Sequence, residues 1–180
     1  MHRGSLPYDE AVLAAFVAAV AIPWLASLRF ASHPTGWKAG ASGTYSLTIS
    51  PAHRMYPVSV AWTSNVPCPD CDRSNPPNAT LRRLGSGDVI VWASIQTADP
   101  SGWPPTGRPL SPHHSLAHAY RLLCCDGEPV AGGAWELYWF GPRNAYAVLV
   151  RVYWGSAPNA SMRANAQQAL NALKLPLARP

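Results

Sequence analysis

Residues 135–154 constrain this chain more than any other stretch. They read Trp-Glu-Leu-Tyr-Trp-Phe, then Gly-Pro-Arg-Asn, then Ala-Tyr-Ala-Val-Leu-Val-Arg-Val-Tyr-Trp. Two runs rich in aromatic and β-branched residues flank a short turn-forming run, which is the pattern of a β-hairpin. A four-residue loop over 141–144 sets Phe140 opposite Ala145. One face then carries Trp135, Leu137, Trp139, Tyr146, Val148, Val150, Val152 and Trp154. The other carries Glu136, Tyr138, Phe140, Ala145, Ala147, Leu149, Arg151 and Tyr153. Alternate strand side chains point to opposite faces, so a register that gathers the large aliphatics and three tryptophans on one side is favoured. Glu136 and Arg151 fall on the second face at diagonal positions, within reach of each other.

The flanking sequence supplies more strands and a helix to cover them. Residues 44–50 and 58–64 alternate apolar and polar, as half-buried strands do. Residues 88–97 are apolar on both faces at Ile90 and Trp92, which predicts a central strand. Residues 120–125, before Asp126-Gly127, read as a further strand, and 79–84 as one helical turn. Over 158–174, Met162, Ala166, Ala169, Leu170 and Leu173 form one apolar stripe of a helix. Asn159 or Ser161 can cap it, and Leu175-Pro176 ends it. The expected fold is α+β: a twisted antiparallel sheet of five to seven strands over residues 44–175, packed on the C-terminal helix, with 176–180 as a tail.

Residues 11–28 are uncharged and mostly apolar, and their eighteen positions meet the lower bound for a membrane-spanning helix. A cleaved signal peptide wants a basic start and a small-residue cleavage site directly after the apolar run. Here Arg3 is offset by Asp9 and Glu10, and no such site follows directly. Residues 1–31 are therefore expected to be a polar segment plus an uncleaved anchor over 11–28, with cleavage and secretion, or burial of the helix in the fold, as the alternatives. Residues 32–43, rich in Gly, Ser and Ala, read as a linker. The main domain is then extracytoplasmic. It is attached to a membrane through 11–28 and meets a protein or cell-envelope partner.

The charge pattern narrows that partner. Only 13% of residues are charged and the net charge is +5, with cations scattered and only Arg82-Arg83 adjacent. A nucleic-acid footprint needs clustering on one face, so nucleic acid is not an expected partner.

Four cysteines are the sharpest chemical feature. Cys68-Pro-Asp-Cys71 invites a redox reading, but a reactive pair wants a helix N-terminus beside it, and Asp-Arg-Ser-Asn-Pro-Pro follows. A zinc site would have to include the adjacent Cys124 and Cys125, a poor chelating pair because neighbours in a strand point apart. Disulfides are expected instead, including at least one bridge from Cys68 or Cys71 to Cys124 or Cys125. That loop of roughly 55 residues would stabilise by about 4 kcal/mol on the chain-entropy argument. His113, His114 and His118 form a second cluster, read as exposed loop residues because no glutamate or third ligand accompanies them. Trp103 and Trp37 are the tryptophans expected on display, whereas Trp62, Trp92, Trp135, Trp139 and Trp154 fall at core strand positions. No phosphate loop, dinucleotide fingerprint, nucleophile motif or cofactor motif appears. The leading expectation is a binding or structural module without catalytic activity. The rival is an enzyme, hydrolase-like or metal-dependent, built from those histidines with Asp99 or Asp126.

Over residues 135–175 the order is strand, turn, strand ending Trp-Gly, then Ser-Ala-Pro and a helix ending Leu-Asn-Ala-Leu-Lys-Leu-Pro. This resembles the C-terminal part of small extracytoplasmic actinobacterial domains tethered behind one apolar segment. Upstream, Gly-Ser-Gly-Asp-Val-Ile-Val-Trp and the Trp-Pro-Pro loop are similar too. The same ending also resembles the PsbP/Mog1-like fold. The resemblance covers about the last half of the chain. It implies an antiparallel sheet flanked by helices and assigns no functional residue.

Overall fold

The computed structural model describes residues 28–42, 57–72, 77–97, 108–109, 115–122, 130–140 and 146–174. In chain order they form β1 (Arg29–Phe30), β2 (Lys38–Ser42), β3 (Pro57–Ser64), α1 (Asn78–Leu81), β4 (Val89–Thr97) and β5 (Arg108–Pro109). A 3-10 turn (Leu116–His118) follows, then β6 (Tyr120–Leu122), β7 (Ala134–Phe140), β8 (Tyr146–Trp154), α2 (Ala160–Ala172) and β9 (Leu173–Lys174). The main sheet runs β2-β3-β4-β8-β7, with β5 and β6 both lying along the outer edge of β7. Its pairs are antiparallel except β5 with β7, so an antiparallel sheet with a C-terminal helix is the observed architecture. β4 lies between β3 and β8, where a strand apolar on both faces belongs.

The two strands of the expected hairpin pair in a different register, and its turn lies outside the described residues. Phe140 opposes Ala147 and Ala134 opposes Tyr153, two residues on from the expected pairing. β8 extends past the end of β7 to keep Tyr146 opposite Thr97 of β4, so the central strand sets where β8 begins. A slip of two keeps Trp135–Leu137 and Val148–Trp154 on their expected faces, whereas a slip of one would have reversed them. Its one chemical consequence is that Glu136 now sits directly opposite Arg151.

The helix packs on the face that carries Val91, Ala93, Ile95, Leu137, Val148, Val150, Val152 and Trp154. Met162, Ala166, Ala169 and Leu170 meet them as the sequence stripe predicts. Burying each large aliphatic here contributes about 1.5–3 kcal/mol. The Asn159 side chain accepts a 2.9 Å hydrogen bond from the Met162 amide, which caps the helix start.

The N-terminal boundary moves. Residues 38–42, expected as linker, are the edge strand β2, paired from Lys38 opposite Ser64 to Ser42 opposite Val60. Gly36 turns the chain at φ +81°, and Trp37 enters the helix-side core at 6% exposure. Trp37 is thus a core residue, and the expectation that it displays itself on the surface is corrected. Leu28, the last residue of the apolar run, is also buried in that core. β1 pairs with β9, and the Ala31 amide donates to the Ala172 carbonyl at 2.8 Å, so this segment closes over the end of α2. Small residues read as linker because they carry no apolar pattern, yet an edge strand needs only its backbone ladder and room for its neighbours. Residues 11–27 and the strand expected at 44–50 lie outside the described residues. Among the described residues, no helix is long and apolar enough to cross a membrane.

Candidate functional site

The second face of the sheet holds the chemistry. One register row crosses it: Gly40 of β2, Trp62 of β3, Trp92 of β4, Arg151 of β8 and Glu136 of β7. Gly40 makes room for its neighbour, because a Cβ there would stand 2.7 Å from the Trp62 indole. Trp62 Nε1 donates to Asp72 at 2.6 Å, and Trp92 Nε1 donates to the Cys71 carbonyl at 3.2 Å. Arg151 Nε donates to Glu136 Oε2 at 2.6 Å, with the two side chains only 11% and 4% exposed. Taking two charges out of water costs several kcal/mol each, a cost that the charge-paired contact between them offsets.

Residues 66–72 and 77–84 cover part of this face. Cys68, Cys71 and Leu81 pack there with Val60, Ile90, Trp92, Leu149 and Tyr153. Cys68 and Cys71 are bonded to each other, with Cα atoms 5.3 Å apart. The expected bridge from this loop to Cys124 or Cys125 is therefore corrected. The turn that donates the Cys71 amide to the Cys68 carbonyl already brings the two thiols within bonding range. A loop this short stabilises by about 2 kcal/mol on the chain-entropy argument, half of what the longer loop would contribute. Neither sulfur is a thiolate in this state, and both residues are buried. The nearest helix starts only at Asn78, and its N-terminus is taken up by Asp70. Asp70 accepts from the amides of Ala79 and Thr80 at 2.8 and 3.3 Å and from the Thr80 hydroxyl. The Cys-Pro-Asp-Cys loop is a clip that fixes Asp70, Asp72 and the Cys71 carbonyl, rather than a helix-activated redox pair.

Among the expected site residues, Cys68 and Cys71 come together, Trp37 is in the core, and His118 is exposed at the end of the 3-10 turn. Cys124, Cys125, Trp103, His113, His114, Asp99 and Asp126 lie outside the described residues. Among the described residues, no group of three or more His, Cys, Asp or Glu side chains gathers as metal ligands do.

Sequence reasoning missed a second cluster, on the helix side at the sheet edge. Trp135 is half-buried, and Arg121 of β6 stands over its ring at 5.3 Å from the centroid. Arg163 from the start of α2 stands over the same ring at 5.6 Å. Trp154 meets Trp135 edge to face at 5.4 Å, and its own buried Nε1 meets no acceptor among the described residues. Four elements build this cluster, β6, β7, β8 and α2, and only the pairing of β6 with β7 brings Arg121 opposite Trp135. No sequence spacing could have signalled it.

The charges divide cleanly. All four described carboxylates are engaged: Asp70 with α1, Asp72 with Trp62, Asp88 with the Gly85 amide at 2.7 Å, and Glu136 with Arg151. None of them is exposed. The exposed charged side chains among the described residues are Arg29, Lys38, Arg82, Arg83, Arg121, Arg163 and Lys174, all cations. Comparison of the chain with protein-family models, with curated proteins and with solved structures returned no match.

Proposed function

We propose that this chain is an extracytoplasmic binding or structural module without catalytic activity, anchored to a membrane through the apolar run of residues 11–28, whose last residue, Leu28, already sits in the domain core. The observation that carries the reading is the division of charge. The described carboxylates, the groups that general acid or base chemistry would need, are spent on a helix cap, a turn, an indole and a buried arginine. What the described surface offers to a partner is cationic. The Cys68–Cys71 disulfide supports an oxidising compartment, where such bonds persist. The sequence layout of an apolar run followed by an α+β domain fits tethering.

Fractionation of cells making the full chain tests this reading. The protein is expected in the membrane fraction, released by detergent, and cleaved by protease added outside the cell. Recovery of the intact chain in the soluble fraction without detergent would overturn the anchor, and protection from external protease would overturn the location.

A further inference from the structure

We infer that Arg121, Arg163 and Trp135 form a binding site for a phosphate-class oxyanion. The inference names the ligand class of the binding module proposed above and rests on that reading only for its biological setting. Two guanidiniums stand over one indole ring, at 5.3 and 5.6 Å from its centroid. One cation over an aromatic face is a common stabilising contact. A second brings another positive charge to the same ring, and among the described residues no carboxylate meets either. An oxyanion bound by both balances those charges and accepts from the planar donor forks that make arginine the side chain of choice for phosphate.

The local chemistry points the same way. Arg163 Nε is held by the Pro158 carbonyl at 3.2 Å, which positions the guanidinium and leaves its two amino groups for an acceptor. The first turn of α2 carries no acidic residue that would compete. Because guanidiniums already stand over the ring, the cluster offers N–H donors rather than a bare aromatic face for a sugar or a nucleobase. Trp135 acts as the platform that places both forks.

The test uses the full chain, labelled with nitrogen-15, and follows the Trp135 indole resonance, assigned by its loss in Trp135→Phe. One arm titrates inorganic phosphate against sodium chloride of equal ionic strength. A second measures co-sedimentation with phosphatidylglycerol vesicles against phosphatidylcholine vesicles, which separates a lipid headgroup from free phosphate as the source. Saturable binding in at least one arm is expected, weakened about tenfold or more by Arg121→Gln and by Arg163→Gln, as loss of a charged hydrogen bond implies. The paired change Arg82→Gln/Arg83→Gln, on exposed cations elsewhere, is expected to leave it unchanged. No saturable response in either arm, or equal weakening by the Arg82/Arg83 variant, overturns the site. Either result leaves the fractionation outcome, and with it the module reading, untouched.

Discussion

On the helix side of the sheet, Val91, Val150 and Val152 meet Ala166, Ala169 and Leu170, and the contact is almost wholly apolar. On the loop side, β3 and β4 turn Trp62 and Trp92 toward a short disulfide-closed loop through directed hydrogen bonds, and Arg151 on the same face pairs with Glu136 of β7. The two sides bury side chains to the same degree by different means. An amphipathic helix brings thirteen residues with its backbone bonds already satisfied, so it needs only shape and apolar surface. A loop has no such internal ladder, and every buried carbonyl or amide in it must find a partner. The Cys71 carbonyl finds Trp92, and the α1 amides find Asp70. The helix side should therefore respond to lost volume, and the loop side to lost partners.

The largest expected effect is on the loop side. Glu136→Gln or Arg151→Met alone should cost about 3–5 kcal/mol in urea unfolding, because each strands a buried charge. The double change Glu136→Leu/Arg151→Met should recover most of that loss, and a double variant as unstable as the two singles summed would break the contrast. Next is the helix side, where Leu170→Ala should cost about 2–5 kcal/mol through the cavity it leaves.

Removing both cysteines, Cys68→Ala/Cys71→Ala, should lower stability by about 2 kcal/mol. Because the clip and Leu170 lie on opposite faces, their losses should add to within about 0.5 kcal/mol when combined. Strong non-additivity would mean that the sheet transmits strain between its faces. The smallest effect is Asn159→Ala, expected to cost about 1 kcal/mol by removing the helix cap. A shift in thermal midpoint with no change in the environment of Trp62 or Trp92 would confine it to the helix side.

The helix side was the legible half. Period-2 alternation in residues 148–154 and period-3.6 spacing from Met162 to Leu170 each name their buried residues without knowledge of the partner. The face assignment survived a two-residue error in register because it depends only on odd against even. The loop side was legible only in fragments. Glu136 and Arg151 were placed on one face, but Asp70 and Asp72 gave no sign of their partners, which lie nine and ten residues away across a turn and a strand. Cys68 and Cys71 announced a crosslink without saying to whom. Residues 38–42 hid a strand because edge pairing with β3 asks for backbone bonds and a small neighbour at Gly40, neither of which leaves an apolar pattern.

By itself, then, the order of side chains determined which residues leave water, since burial follows from local periodicity in one element at a time. The tertiary structure alone decided which polar groups meet, because a hydrogen bond or a stacked guanidinium needs two elements at a fixed distance. Arg121 and Arg163 lie 42 positions apart in the sequence. They share one indole only because β6 pairs with β7 and α2 begins above that pair.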